Sequence, residues 1–318
     1  MRIYDGHTDI MADVVSRRVK GERQVIRSCH FKKLEKGQVK AGNFALWFNP
    51  DSASREKLIS AFTIIHEELY EAKDLCCLVE KGGDFTRAET DGKIAVILGM
   101  EGLGAVGGNC EEVTWLKSQG IRFASLTWNE ENHLATGIYG TPERGLTHAG
   151  RQVLKQMEQE RMTLDVSHLN GASFSEMADL ITRPVMASHS NAWSLCRHPR
   201  NLKDEHLKTI ADSGGLVGVN ACGDFLHLEK PTLEHYVEQV DYMVSLLGIN
   251  RVMLGYDFCD FLPSVTGDNV EDAVETTGLE DVSKAQAVIR RLLDRGYADE
   301  EVEKIAYTNM RDWMKKHI

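Results

Sequence analysis

Eight short runs rich in β-branched and apolar residues recur along the chain, at 3–9, 41–48, 93–101, 122–128, 163–168, 184–190, 215–221 and 251–258, each ending in polar or charged residues. Between them lie stretches with helical periodicity. Leu58, Ile59, Phe62, Ile65 and Leu69 form one such stripe, and Leu233, Tyr236, Val240, Met243 and Leu247 another, with Thr232 placed to start that helix and Gly248 to stop it. Strands that alternate with helices pair in parallel and are covered on both faces. Eight of them in 318 residues predict an α/β fold, a (β/α)8 TIM barrel, with additional C-terminal helices over 282–293 and 299–316 packed outside the last strand. No repeat or low-complexity stretch interrupts the pattern, and six scattered prolines mark no linker, so a single domain over 1–318 is expected.

A barrel of this kind carries its chemistry at the C-terminal ends of its strands. Here the first run ends in His7-Thr8-Asp9, the third in Glu101, the fifth in Asp165-Val166-Ser167-His168, the sixth in Ser188-His189-Ser190, and the eighth in Asp257. Residues two apart on a strand face one side, so His7 and Asp9 can share an ion. Such a pair alone is a weak signal among 12 histidines and 48 acidic residues. Convergence of five strand ends is a stronger one. Imidazole and carboxylate without thiolate suit zinc, with manganese, cobalt or iron as substitutes. Five ligands exceed the three that one catalytic zinc takes from protein, and two ions sharing a carboxylate fit better.

Charge narrows the partners. Against 48 acidic side chains stand 37 basic ones, a formal −11, so the basic footprint of a nucleic-acid binder is missing and a small-molecule substrate is expected. No apolar run approaches the ~18 residues of a membrane span, and the first residues show no secretory leader, so a cytoplasmic protein that makes no membrane contact is expected. Self-association as a homodimer is compatible with this composition. Seven cysteines without CxxC spacing read as reduced thiols. Gly102-Leu103-Gly104-Ala105-Val106-Gly107 matches the dinucleotide-binding fingerprint literally, an alternative that Glu101 opposes by setting a charge beside the pyrophosphate.

The segments Asp5-Gly6-His7-Thr8-Asp9, Gly99-Met100-Glu101-Gly102, Leu164-Asp165-Val166-Ser167-His168, Ala187-Ser188-His189-Ser190-Asn191-Ala192, Arg200-Asn201-Leu202-Lys203-Asp204 and Gly255-Tyr256-Asp257-Phe258 together resemble the membrane (renal) dipeptidase family, a branch of the metal-dependent amidohydrolases. Gly278-Leu279-Glu280-Asp281-Val282-Ser283 adds to the likeness. The resemblance implies that His7 and Asp9 hold one zinc, His168 and His189 a second, and Glu101 bridges the two. It implies a hydroxide shared by the two ions as nucleophile, Asp257 as acid/base, and Arg200 as the group that binds the free carboxylate of a dipeptide. The alternative within the same superfamily is a hydrolase of cyclic amides or esters, which would have no use for Arg200.

The chain departs from the family's pattern at several positions. Trp128 stands where many members have a substrate-polarising histidine, a role that His133 is then placed to take over from the following loop. Phe225 replaces a tyrosine found in some members, and Cys259-Asp260 stands where the family tends to have Asp-Gly, so the pocket differs there. The animal members carry a lipid anchor, but this sequence ends without an apolar tail and resembles the soluble microbial members.

Overall fold

The structure, a computed structural model, describes residues 1–49, 53–107, 109–262 and 274–318. Among the described residues, nine strands form one all-parallel sheet: β1 (Ile3–Thr8), β2 (Val39–Trp47), β3 (Cys76–Leu78), β4 (Ile94–Glu101), β5 (Ile121–Ser125), β6 (Thr163–Asp165), β7 (Met186–Ala187), β8 (Leu216–Val219) and β9 (Val252–Leu254). Eight follow one another in the order β1-β2-β4-β5-β6-β7-β8-β9. Hydrogen bonds from Tyr256 N to Asp5 Oδ1 (3.0 Å) and from Asp257 N to His7 O (3.2 Å) draw the last strand back to the first. The result is the expected (β/α)8 barrel.

The ninth strand, β3, was not expected from sequence, because three residues carry no periodic signal. It pairs with Ile94–Val96 of β4, whereas β5 takes the later stretch Leu98–Met100, so the two share the length of β4 in turn. Most of the later predicted runs shrink, those at 215–221 and 251–258 to Leu216–Val219 and Val252–Leu254. The run at 163–168 is strand only to Asp165, and that at 184–190 only over Met186–Ala187, because side chains take over the backbone beyond them: Ser167 N and Ser188 N both donate to Asp165 Oδ1. The extended tips are thereby turned into loops that present His168 and His189.

Helices surround the sheet, among them the predicted Leu233–Leu247, which starts after Thr232 and ends at Gly248 with φ +82°. The C-terminal helices do more than pack outside. Gln286–Asp294 lies against Leu233–Leu247, its Arg291 paired with Glu234, but Asn309–His317 crosses the N-terminal mouth. There its Asn309 and Trp313 donate to Val252 O and Gly214 O, while Met310, Trp313 and Met314 join the interior cluster of Tyr4, Ile97, Phe123, Met186, Leu216 and Met253. One end of the barrel is thus sealed by apolar side chains, and the polar end is left for chemistry. Among the described residues, no helix is long and apolar enough to cross a membrane.

Close approach at that polar end depends on glycine. A Cβ at Gly255 would lie 1.8 Å from Ser188 O, and one at Gly218 2.0 Å from the same atom. A side chain at either would push β7 outward. Gly255→Ala is expected to destabilise the fold by roughly 1–3 kcal/mol through overpacking, read as a lowered thermal midpoint. An unchanged midpoint would show that the Ser188 backbone has room to move.

Candidate metal centre at the barrel mouth

His7, Asp9, Glu101, His168 and His189 converge at the C-terminal ends of β1, β4, β6 and β7, and all five are buried. One oxygen of Glu101 organises them. Its Oε1 lies 2.7 Å from His168 Nε2, 3.5 Å from His189 Nε2 and 3.7 Å from His7 Nε2. His7 Nε2 stands 3.8 Å from Asp9 Oδ2 and 3.9 Å from Asp257 Oδ1. Ligand atoms of His7, Asp9 and Glu101 lie within 4.8 Å of one another, and so do those of Glu101, His168 and His189. Glu101 belongs to both groups.

These residues fit a divalent cation. His7 Nε2 is buried with no hydrogen-bond partner, an arrangement that costs about 1–3 kcal/mol unless something else satisfies it. The tautomers point the same way. Asn129 Oδ1 accepts from His168 Nδ1 at 2.9 Å, and Ser188 Oγ meets His189 Nδ1 at 2.6 Å and His7 Nδ1 at 3.3 Å. With each Nδ1 so engaged, the Nε2 atoms face inward, and those of the neutral His168 and His189 face each other at 2.9 Å. Two lone pairs in that position repel unless a cation lies between them.

Electrostatics agree. Burial, helped by Arg200 and by His7, holds His168 and His189 well below the usual histidine range, so both are neutral as ligation requires. Burial also opposes a charged His7, but Glu101, Asp9 and Asp257 outweigh it and raise the group to about 10. That pull on a proton is the negative potential that a metal ion would answer. Asp257, just after β9, is pushed up to about 7, first by burial and then by Asp9 and Glu101. Its φ of +59° is a strained conformation for a residue with a side chain, and Asn220 Nδ2 fixes its Oδ2 at 3.0 Å.

Behind the ligands lies a layer that the sequence reading did not assign. Asp165 accepts from Ser167 N (3.1 Å), Ser167 Oγ (2.6 Å), Ser188 N (3.0 Å) and Ser188 Oγ, so it orients the serine that in turn orients two imidazoles. Such outer partners tune ligand direction and basicity. The signal was a carboxylate and two serines at buried strand ends, beside the histidines. Ser188 Oγ also sits amid His7, Asp165 and His189, a further trio whose ligand atoms are close enough for an ion.

The remaining predicted residues are placed as follows. Arg200 is 3% exposed, donates through Nη1 to Ser167 O, and holds Nη2 3.1 Å from His168 Nε2. Phe225 lies under its guanidinium at 5.4 Å and against His198 at 4.6 Å. Trp128 meets Trp47 edge-on at 5.3 Å and stands 6.3 Å from the His168 ring, walling one side of the mouth. His133 is exposed, and among the described residues its hydrogen bond is through the backbone carbonyl, which accepts from Thr147 Oγ1 at 2.7 Å. Its imidazole is not brought into the cluster. The glycine fingerprint is also resolved against the dinucleotide reading. Leu103–Ala105 is a single 3-10 turn, the next helix opens only at Cys110, and Glu101 faces the histidines, so among the described residues no α-helix N-terminus stands at the glycines to hold a pyrophosphate.

An uncharacterized protein in the pqqA 5′ region of Klebsiella pneumoniae is 32% identical over 73% of this chain and 84% of its own. An uncharacterized dipeptidase of Schizosaccharomyces pombe is 32% identical over 72% of this chain, which spans 54% of that longer protein. In fold, the chain superposes over 100% of its length and 99% of the other on a metallo peptidase of Rhodobacter sphaeroides liganded with a phosphinate mimic of the dipeptide L-Ala-D-Ala, with a TM-score of 0.87 at 22% identity. The model of the membrane dipeptidase family matches residues 1–316, and the chain therefore belongs to that family, peptidase family M19.

Proposed function

We propose that the protein is a zinc-dependent dipeptidase that hydrolyses the peptide bond of dipeptides bearing a free C-terminal carboxylate. The observation that carries this reading is the double membership of Glu101, which stands in two three-residue ligand groups at once. His7, Asp9 and Glu101 would hold one ion, and Glu101, His168 and His189 the other. When bound, the pair supplies Lewis acidity toward the scissile carbonyl and a water acidic enough to ionise near neutral pH.

The chain's own groups do the rest. Asp257, next to His7, is placed to accept a proton from the attacking water and return it to the leaving amine. The hydrogen bond from Asn220 to Oδ2 leaves Oδ1 on the side of His7. When His168 Nε2 ligates, Arg200 Nη2 loses that acceptor and is left for a substrate carboxylate, with Phe225 and Ser167 O holding the guanidinium in place. A charged group buried at one end of the pocket selects a chain terminus, and the short reach from Arg200 to the ligands selects a dipeptide. Trp128 and Trp47 offer an apolar wall to the side chain of the substrate.

Hydrolysis of a panel of L-L and L-D dipeptides by the zinc-loaded protein tests the reading, and no turnover of any of them would refute it. Arg200→Ala is expected to raise KM for dipeptides about 10- to 100-fold, the worth of a hydrogen-bonded charge pair, while changing kcat less. Equal KM values for variant and parent would mean that the carboxylate is held elsewhere.

A further inference from the structure

A fourth set of ligand types stands at the mouth, beside the two that share Glu101. One oxygen each of Asp9 and Asp257 and the thiol of Cys259 lie within 4.8 Å of one another. Cys259 Sγ is 3.4 Å from the carbonyl oxygen of Asp257 and 4.0 Å from its Oδ1. Asp9 turns Oδ2 toward His7, while its other oxygen, Oδ1, is buried without any hydrogen-bond partner in a residue only 6% exposed. A spare carboxylate oxygen in that position invites a cation. Cys259, by contrast, is exposed and so can be reached from solvent.

We propose that Cys259, Asp257 and Asp9 form a third cation site, selective for thiophilic divalent ions such as cadmium or excess zinc, whose filling inhibits the enzyme. The inference rests on the dipeptidase reading for its inhibitory consequence, though not for the site itself. The thiolate sets the selectivity, since soft sulfur favours cadmium and zinc over magnesium or calcium. Tetrahedral coordination with about 2.3 Å to sulfur and 2.0 Å to oxygen puts neighbouring ligands about 3.5 Å apart. From the present 4.0 Å, Cys259 and Asp257 need close by only about half an ångström.

As the sulfur–metal bond forms, the S–H bond breaks and its proton passes to solvent, one per ion bound. Affinity is accordingly lower than at the buried centre, because a proton must be displaced and one ligand stands in an exposed loop. The consequence falls on Asp257. A carboxylate engaged with a cation has no free lone pair with which to take a proton from water.

The test uses the protein loaded with two equivalents of zinc and titrated with cadmium, read by the ultraviolet thiolate-to-cadmium charge-transfer band and by dipeptide turnover. One further equivalent is expected to bring up the band while turnover falls about 10²-fold, the loss that follows removal of a general acid/base. In Cys259→Ser the band should be missing, and cadmium should no longer lower turnover relative to the variant's own zinc-loaded rate. Magnesium should do neither in either protein. No band in the parent, or the same band in Cys259→Ser, would overturn the site. A band that appears and is lost in the variant supports it even if no dipeptide is cleaved, which keeps failure of the site apart from failure of the dipeptidase reading.

Discussion

Glu101→Gln is expected to lower the metal content of the protein from the two proposed ions per chain to fewer than one, and to abolish the proposed dipeptide turnover with it. The amide preserves the shape of the side chain but removes the charge, and Glu101 Oε1 lies 2.7 Å from His168 Nε2 and within 3.7 Å of both His7 and His189. Loss of a hydrogen-bonding partner behind a ligand already costs about 10- to 100-fold in metal affinity, so loss of a ligand common to both groups should cost more at each. Elemental analysis after gel filtration in metal-free buffer gives the answer, with circular dichroism to confirm folding. Retention of both ions by the variant would defeat the assignment of Glu101 as the shared ligand.

Asp257→Asn should separate chemistry from metal binding. Both ions are expected to stay, because Asp257 is not needed by either ligand group, while turnover falls roughly 10²–10⁴-fold with the general acid/base removed. The pH profile adds a second check. Burial and the neighbouring carboxylates push Asp257 to about 7 in the protein alone, and nearby cations favour its ionised form and draw that value down. As a base it must be ionised, so kcat/KM in the parent should fall as pH drops through this group's pKa. That acid limb should be absent from the residual activity of the variant. An unaltered limb, or near-normal turnover, would remove Asp257 from the mechanism.

Both residues were legible in the sequence for one reason. A run such as Ala95-Val96-Ile97-Leu98-Gly99-Met100 that ends in Glu101 places a charge where burial is costly, and five such endings in a barrel pattern must meet on one face. Strand order was legible too, since alternating strands and helices leave little freedom of topology. What escaped is local or relational. β3 is three residues long and acquires its strand character only from the free half of the β4 edge. The helix Asn309–His317 has an ordinary amphipathic pattern, which says that one face is buried but not that it closes the barrel floor over Gly214 and Val252.

The same division holds at the centre. His133 was a reasonable stand-in by its distance along the chain from Trp128, but the loop turns its imidazole outward, a matter of backbone direction that spacing does not record. Asp165 and Ser188 stood at strand ends with no role assigned, and only their shared hydrogen bonds show that they orient the imidazoles of His7 and His189. The sequence by itself determined the class of fold, the ligand types and the face on which they gather, because those follow from periodicity and from the cost of burying charge. Tertiary structure alone decided that Glu101 reaches three histidines at once, that two inward nitrogens oppose each other, and that the Cys259 thiol stands beside Asp257. Those are distances of a few ångströms between residues up to 94 positions apart, set by how glycines 6, 218 and 255 let the barrel close around Ser188.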